Sequence, residues 1–188
     1  IHNNCIEIKE INRICKSSIN FNKLFCYNHI INIIIDEIYN KIKYIDASYL
    51  ASYNLNSTVL SSLVTNKYNY TNIIVRDTKL NLNYLEIDNK RGILFIDEIV
   101  DISSIIKTIL LLNKNSILVK DIITIKKSST NDHLSKYNIH YLFDDYDIFK
   151  VMKKTNQLSN TKLDKLINKF NLIDKRLIIN KYEYLSLH

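Results

Sequence analysis

The chain has 188 residues, enough for one core of ordinary size and too few for two comfortable ones. Its 46% hydrophobic and 24% charged residues exclude wholesale disorder. A formal charge of +7 permits an anionic partner such as nucleic acid without selecting one.

The cysteines, Cys5, Cys15 and Cys26, come early in the chain and lack a C-x-x-C spacing. That pattern fits idle thiols in a reducing intracellular compartment, the cytoplasm foremost, and argues against a zinc site. Ile30, Ile31, Ile34, Ile35, Ile38 and Ile42 recur at helical spacing and predict a one-sided helix over 27–42. Residues 43–53, KYIDASYLASY, read as a strand running into a loop, and 57–64, STVLSSLV, as a short helix opening on capping hydroxyls. A second strand is expected over 71–78. A third, GILFIDE at 92–98, has the unbroken apolar run of a strand covered on both faces. A helix capped by Ser103 or Ser104 follows over 103–115, then strands over 116–127 and 137–143.

Alternating strands and helices predict an α/β protein with a parallel sheet, right-handed crossovers and ligands at the carboxyl ends of the strands. Residues 144–170 break the rhythm and read as two amphipathic helices, the second capped by Ser159 or Thr161. The acidic run DDYD at 144–147 suits a helix start, where the dipole favours carboxylates, better than a metal site. No apolar run reaches the length of about 18 residues that a membrane span requires, so no membrane partner is expected. The chain starts at Ile1, as a processed or truncated product would.

There is no proline and one glycine, Gly92, amid abundant Ile, Asn, Lys and Tyr, as strong A+T pressure on the gene would produce. Turns that need positive φ must then use asparagine.

Several motifs carry more than composition does. The segment IDASYLASYNL keeps Asp46 and Tyr53 of a strand-loop pattern ending in Tyr-Lys-Gly, with Asn54 and Leu55 in the last two places. VRDTKLNL keeps Arg76 and a lysine, Lys79; Gly92 precedes the third strand; Asp97 and Glu98 end it; SKYNIHYLF follows with Asn138 and His140 in place of Gly and Pro. In this order and spacing the chain resembles the orotate phosphoribosyltransferase family over roughly residues 5–150. Its tail resembles the two-helix connector of bifunctional UMP synthases.

The resemblance implies a phosphoribosyltransferase-like domain over 1–150 and a helical tail over 151–188. It implies phosphoribosyl pyrophosphate (PRPP) and orotate as ligands, Mg²⁺ with the PRPP, and a homodimer or membership of a larger complex. Asp97 and Glu98 would hold the ribose hydroxyls, and Ser103 and Ser104 the 5′-phosphate at a helix N-terminus. Arg76 and Tyr53 would lie near the pyrophosphate, with Lys79 as the catalytic lysine.

Against this, the family turn Asp-Asp-x-x-Thr-x-Gly-Thr reads DEIVDISS here, and Asp101 puts a carboxylate where a threonine should touch a dianion. Two like charges about 4 Å apart cost about 4 kcal/mol at an effective dielectric of 20, roughly a thousandfold in affinity. The pyrophosphate loop has neither glycine nor lysine, the expected mobile loop between Arg76 and Gly92 is short, and an Asp-Arg that contacts orotate is replaced by Lys126 and Lys127. Together these departures point to an impaired or dead enzyme; the alternative is a pseudoenzyme acting as a structural, RNA-binding or protein-binding subunit.

The plainer readings are a solvated strand end for Asp97 and Glu98, simple helix caps for Ser103 and Ser104, and a solvated loop for Arg76 and Lys79. His29, His133 and His140 have no carboxylate or cysteine at triad or ligand spacing and read as core or surface residues. No basic cluster exceeds a pair, and the tyrosines are scattered, so no local RNA-stacking platform is expected.

Overall fold

The computed structural model of the chain describes residues 5–11, 14–76, 90–127 and 132–154. The alternating stretch IEIKEI forms β1 (Ile6–Ile11), which pairs with β2 (Ile14–Ile19) in a two-stranded sheet that the sequence reading did not anticipate. A single turn, α1 (Phe21–Leu24), follows, capped by Asn20.

The isoleucine stripe forms α2 (Asn28–Ile42), with Ile31, Ile35, Ile38 and Ile42 buried along one face. The strand expected over 43–53 is confined to β3 (Tyr49–Ser52), because 43–48 turn beneath it. The next helix is longer than expected: α3 (Leu55–Tyr68) begins before Ser57, and its cap is Asn54. Then come β4 (Thr71–Ile74), β5 (Lys90–Glu98), α4 (Ile102–Lys114), β6 (Ile117–Lys127) and β7 (Asn138–Asp144). The cap of α4 is Asp101, not Ser103 or Ser104, which lie inside its first turn.

These strands form one parallel sheet in the order β4-β3-β5-β6-β7. Its middle explains the unbroken apolar run of β5. Ile93 and Phe95 join the core made with α2 and α3, while Leu94 and Ile96 join the core made with α4. Each side chain is fully buried, worth roughly 1.5–3 kcal/mol apiece.

Gly92 is required by packing rather than by φ: a Cβ there would stand 2.7 Å from Ile117 Cγ2. Immediately after it the pairing of β5 with β6 slips by one residue, leaving Lys120 as a bulge. Positive φ occurs at Asn69, ending α3, and at Ser116, joining α4 to β6. The first is the expected use of asparagine; the second puts a serine where glycine is the usual choice.

Two compact units are distinguished, Ile1–Glu7 with Ser18–Asp144, and Ile8–Ser17 with Asp145–His188. The second holds α5 (Asp145–Lys154), whose first turn carries Asp145 and Asp147, as expected of the acidic run. Buried Asp145 accepts hydrogen bonds from the backbone N–H and hydroxyl of Ser17. The rest of the expected helical tail, with Ser159 and Thr161, lies outside the described residues.

Candidate functional site

The order of the sheet reverses between β3 and β5, with β4 on one side and β6 and β7 on the other. In an open parallel sheet, the crevice at the carboxyl ends of such a switch point is the usual ligand site. Here it brings together Ser52 ending β3, Tyr53 and Asn54 just after it, Asp97 and Glu98 ending β5, and the N-termini of α3 and α4. Five of the residues expected from sequence, Tyr53, Asp97, Glu98, Ser103 and Ser104, therefore share one edge. Arg76 is exposed just past β4 on the same edge, where Val75 N–H donates to Ser52 O at 2.8 Å. Lys79 lies outside the described residues, as does most of the expected mobile loop.

Asp97 is not a solvated strand end. It is nearly buried, and Oδ1 accepts from Asn54 Nδ2 at 2.7 Å and from Glu98 N–H at 2.8 Å, while Oδ2 accepts from Asn56 Nδ2 at 2.9 Å. Its backbone carbonyl accepts the Thr124 hydroxyl at 3.1 Å, fixing the end of β5 to β6. Half-buried Glu98 accepts the Ile19 N–H through Oε1 at 2.7 Å, which fastens the end of β2 to this edge. Sequence reasoning missed Asn56 and Ile19, and it treated Asn54 only as a lost lysine.

Asn54 also organises α3. Its Oδ1 accepts the Ser57 N–H at 2.8 Å while Ser57 Oγ accepts the Asn54 N–H at 3.3 Å, a reciprocal capping box. The N-x-x-S spacing was the available signal. A helix N-terminus that would be an anion site is thereby satisfied from within.

The same holds at α4. Asp101 accepts the Ser104 N–H at 3.2 Å, the Ser103 hydroxyl at 2.9 Å and the Ser104 hydroxyl at 2.6 Å. The donors expected to hold a phosphate are thus turned onto a carboxylate of the chain itself. Hydrogen bonds from Ser104 and then Ser103 hold the Asp101 carboxyl down at about 2. Burial first, then the charges of Asp97 and Asp101, push the Tyr53 phenol up to about 12, so it stays neutral. Both oxygens of Asp97 and both of Asp101 accept hydrogen bonds from the chain itself.

On the neighbouring strand, Lys126 is fully buried and register-paired with Glu98, while the Lys127 ammonium sits 5.0 Å from the centre of the Tyr141 ring. His29 and His133 are exposed. His140 has a carboxylate partner that no ligand or triad spacing in the sequence shows: its Nε2 lies 3.1 Å from Oδ1 of buried Asp121, nineteen residues away across the β6–β7 pairing. Arg91 and Asn138 donate to the same carboxylate. This cluster sits toward the strands' N-terminal ends, away from Asp97.

No family model matches the sequence, and no curated protein matches it. Among solved structures, UMP synthase from Leishmania donovani is similar with a TM-score of 0.69 at 11% identity, over 90% of this chain and 40% of that one. Orotate phosphoribosyltransferase from Aeropyrum pernix gives 0.66 at 10% identity, over 80% of this chain and 94% of that one. Adenine phosphoribosyltransferase from Thermoanaerobacter pseudethanolicus gives 0.62 at 13% identity, over 74% of this chain and 95% of that one. The chain thus spans less than half the length of the UMP synthase. It has the phosphoribosyltransferase fold, a likeness that does not separate orotate enzymes from adenine enzymes.

Proposed function

We propose that this is a phosphoribosyltransferase-fold protein of orotate-enzyme ancestry whose PRPP site no longer works as one. A single observation carries the reading: the Asp101 carboxylate takes the Ser103 and Ser104 hydroxyls and the Ser104 N–H. An incoming 5′-phosphate would have to displace that carboxylate and then sit beside it, at the cost of charge repulsion estimated above. The Asn54 capping box supports the same conclusion for the pyrophosphate side, and the Asn54 and Asn56 amides on Asp97 do so for the ribose side.

Isothermal titration with PRPP and Mg²⁺, then with orotate and orotidine monophosphate, tests the reading. No heat is expected from the folded protein, and micromolar binding to the native chain would overturn it. Asp101→Thr combined with Ser103→Gly should restore measurable phosphate affinity; no gain would mean that the turn alone is not what closes the site.

With the chemistry gone, the fold serves as a binding or structural subunit, and association with a second copy is the assembly best supported. On α3, Leu55, Val59 and Leu63 recur every fourth residue along an exposed face, with Ile74 of β4 also exposed. No charged residue occurs from Leu55 through Asn66. On a chain of charge +7, such an apolar face lets two copies meet without direct repulsion.

A further inference from the structure

At the opposite edge of the sheet, where β3 and β4 begin, the fold gathers tyrosines that the sequence scatters. Tyr39 near the end of α2 and Tyr68 at the end of α3 stack with centroids 3.7 Å apart and planes 2° from parallel. Tyr44 and Tyr70, from the turns that follow these helices, join them around a shallow polar depression of about 610 Å³. Asp36 anchors Tyr68 by accepting its hydroxyl, and it also accepts the Lys67 ammonium. Tyr44 stands on the rim, 87% exposed, with the Lys43 ammonium 5.1 Å from its ring centre. Polar groups of Asp46, Ser48, Asn69 and Thr71 complete the lining.

We propose that this depression binds a nucleotide base and its phosphate, as part of single-stranded nucleic acid. An exposed tyrosine ring offers a face to any base, and stacking of this kind is tolerant of sequence. The fixed Tyr39–Tyr68 pair supplies a rigid aromatic wall. Lys43, at the rim, is placed to meet the backbone phosphate, while the Asp46 carboxylate and the Asn69 amide can pair with the edge of a base, and the carboxylate disfavours a phosphate seated beside it. Phosphate outside and base inside is the orientation these charges select. The net charge of +7 favours a polyanion over a neutral ligand. The depression and the edge that holds Asp97 lie at opposite ends of the strands, so the inference stands apart from the reading of the phosphoribosyltransferase site.

Fluorescence anisotropy with a labelled twelve-nucleotide single-stranded RNA in low salt tests it, with adenosine and guanosine monophosphates as competitors. Micromolar binding is expected, weakened about tenfold by Tyr44→Ala, a change at an exposed ring that leaves the core alone. Lys43→Gln should lower the salt slope by about one, whereas Lys114→Gln, the same loss of charge at the far end of α4, should leave Tyr44-dependent binding unchanged. Competition by a mononucleotide as effective as the unlabelled oligomer would overturn the assignment to nucleic acid, because the site would then hold free nucleotides. Absence of RNA binding, or binding that Tyr44→Ala alters less than twofold, would overturn the proposal.

Discussion

Asn54 Nδ2 donates to Asp97 Oδ1 at 2.7 Å, so the residue that caps α3 also holds the acid that ends β5. One side chain thereby joins two elements of the switch-point edge. Asn54→Ala removes a cap, worth about 1 kcal/mol, and deprives a nearly buried carboxylate of a donor, worth about 1–3 kcal/mol. A loss of roughly 2–4 kcal/mol is expected in urea unfolding. Asn54→Ser, which keeps the cap and loses the donor, should fall between the two.

Asp101 provides a pH signature. Its folded-state value of about 2 lies below the ordinary 3.8, so the ionised cap stabilises the protein above pH 3.8, and this contribution is lost as pH falls toward 2. Asn is as good a cap as Asp but carries no charge. Asp101→Asn should therefore be less stable than the native chain near neutrality, with the difference shrinking below pH 3.8. Urea midpoints measured across that range check it; a difference constant with pH would mean the carboxylate's charge is not what the two serines stabilise.

At Gly92 the strand has no room for a methyl group, because a Cβ would meet Ile117 Cγ2 at 2.7 Å. Gly92→Ala should cost about 1–3 kcal/mol through overpacking. The double variant with Ile117→Ala should lose less than the sum of the two single changes, and a denaturant double-mutant cycle reads the difference directly.

How much of this was legible depends on where each interaction lies in the chain. The isoleucine stripe of α2 and the apolar run of β5 are local patterns, and both elements were anticipated. The caps were misplaced because Asp101, Ser103 and Ser104 are all capping residue types within one turn, and only geometry shows which one faces the free N–H groups. The donors to Asp97 lie about forty residues upstream of it, as Asn54 and Asn56, and the tyrosine cluster joins residues 39 and 44 to residues 68 and 70. Periodicity carries no trace of such pairings; they arise when parallel strands are set side by side.

His140 illustrates the same point and can be tested. Asp121, buried in β6, accepts from Arg91 at 3.4 Å, Asn138 at 3.0 Å and His140 at 3.1 Å, joining β5, β6 and β7. Asp121→Ala strands all three donors, though half-exposed Arg91 can still reach water. A loss of about 2–4 kcal/mol is expected from thermal or urea unfolding. His140→Ala, which removes a single donor, should cost less than half as much.

The outward face of α3 is exposed at Leu55, Val59 and Leu63. Its core side is closed by Leu60, Val64 and the small residues Ser57 and Ser61, with Ser61 Oγ donating to Ser52 Oγ at 3.0 Å. Val59 and Leu63 lie outside that buried set, 38% and 39% exposed. A carboxylate there would leave the fold intact but would put like charges opposite each other in a pair of copies related by two-fold symmetry. Leu63→Glu should therefore reduce the mass seen by light scattering from a dimer to a monomer, with the unfolding midpoint of the monomer little changed. Lys114→Glu, remote from this face, should leave the dimer in place. A native chain that is already monomeric at tens of micromolar would remove the second copy as the occupant of this face.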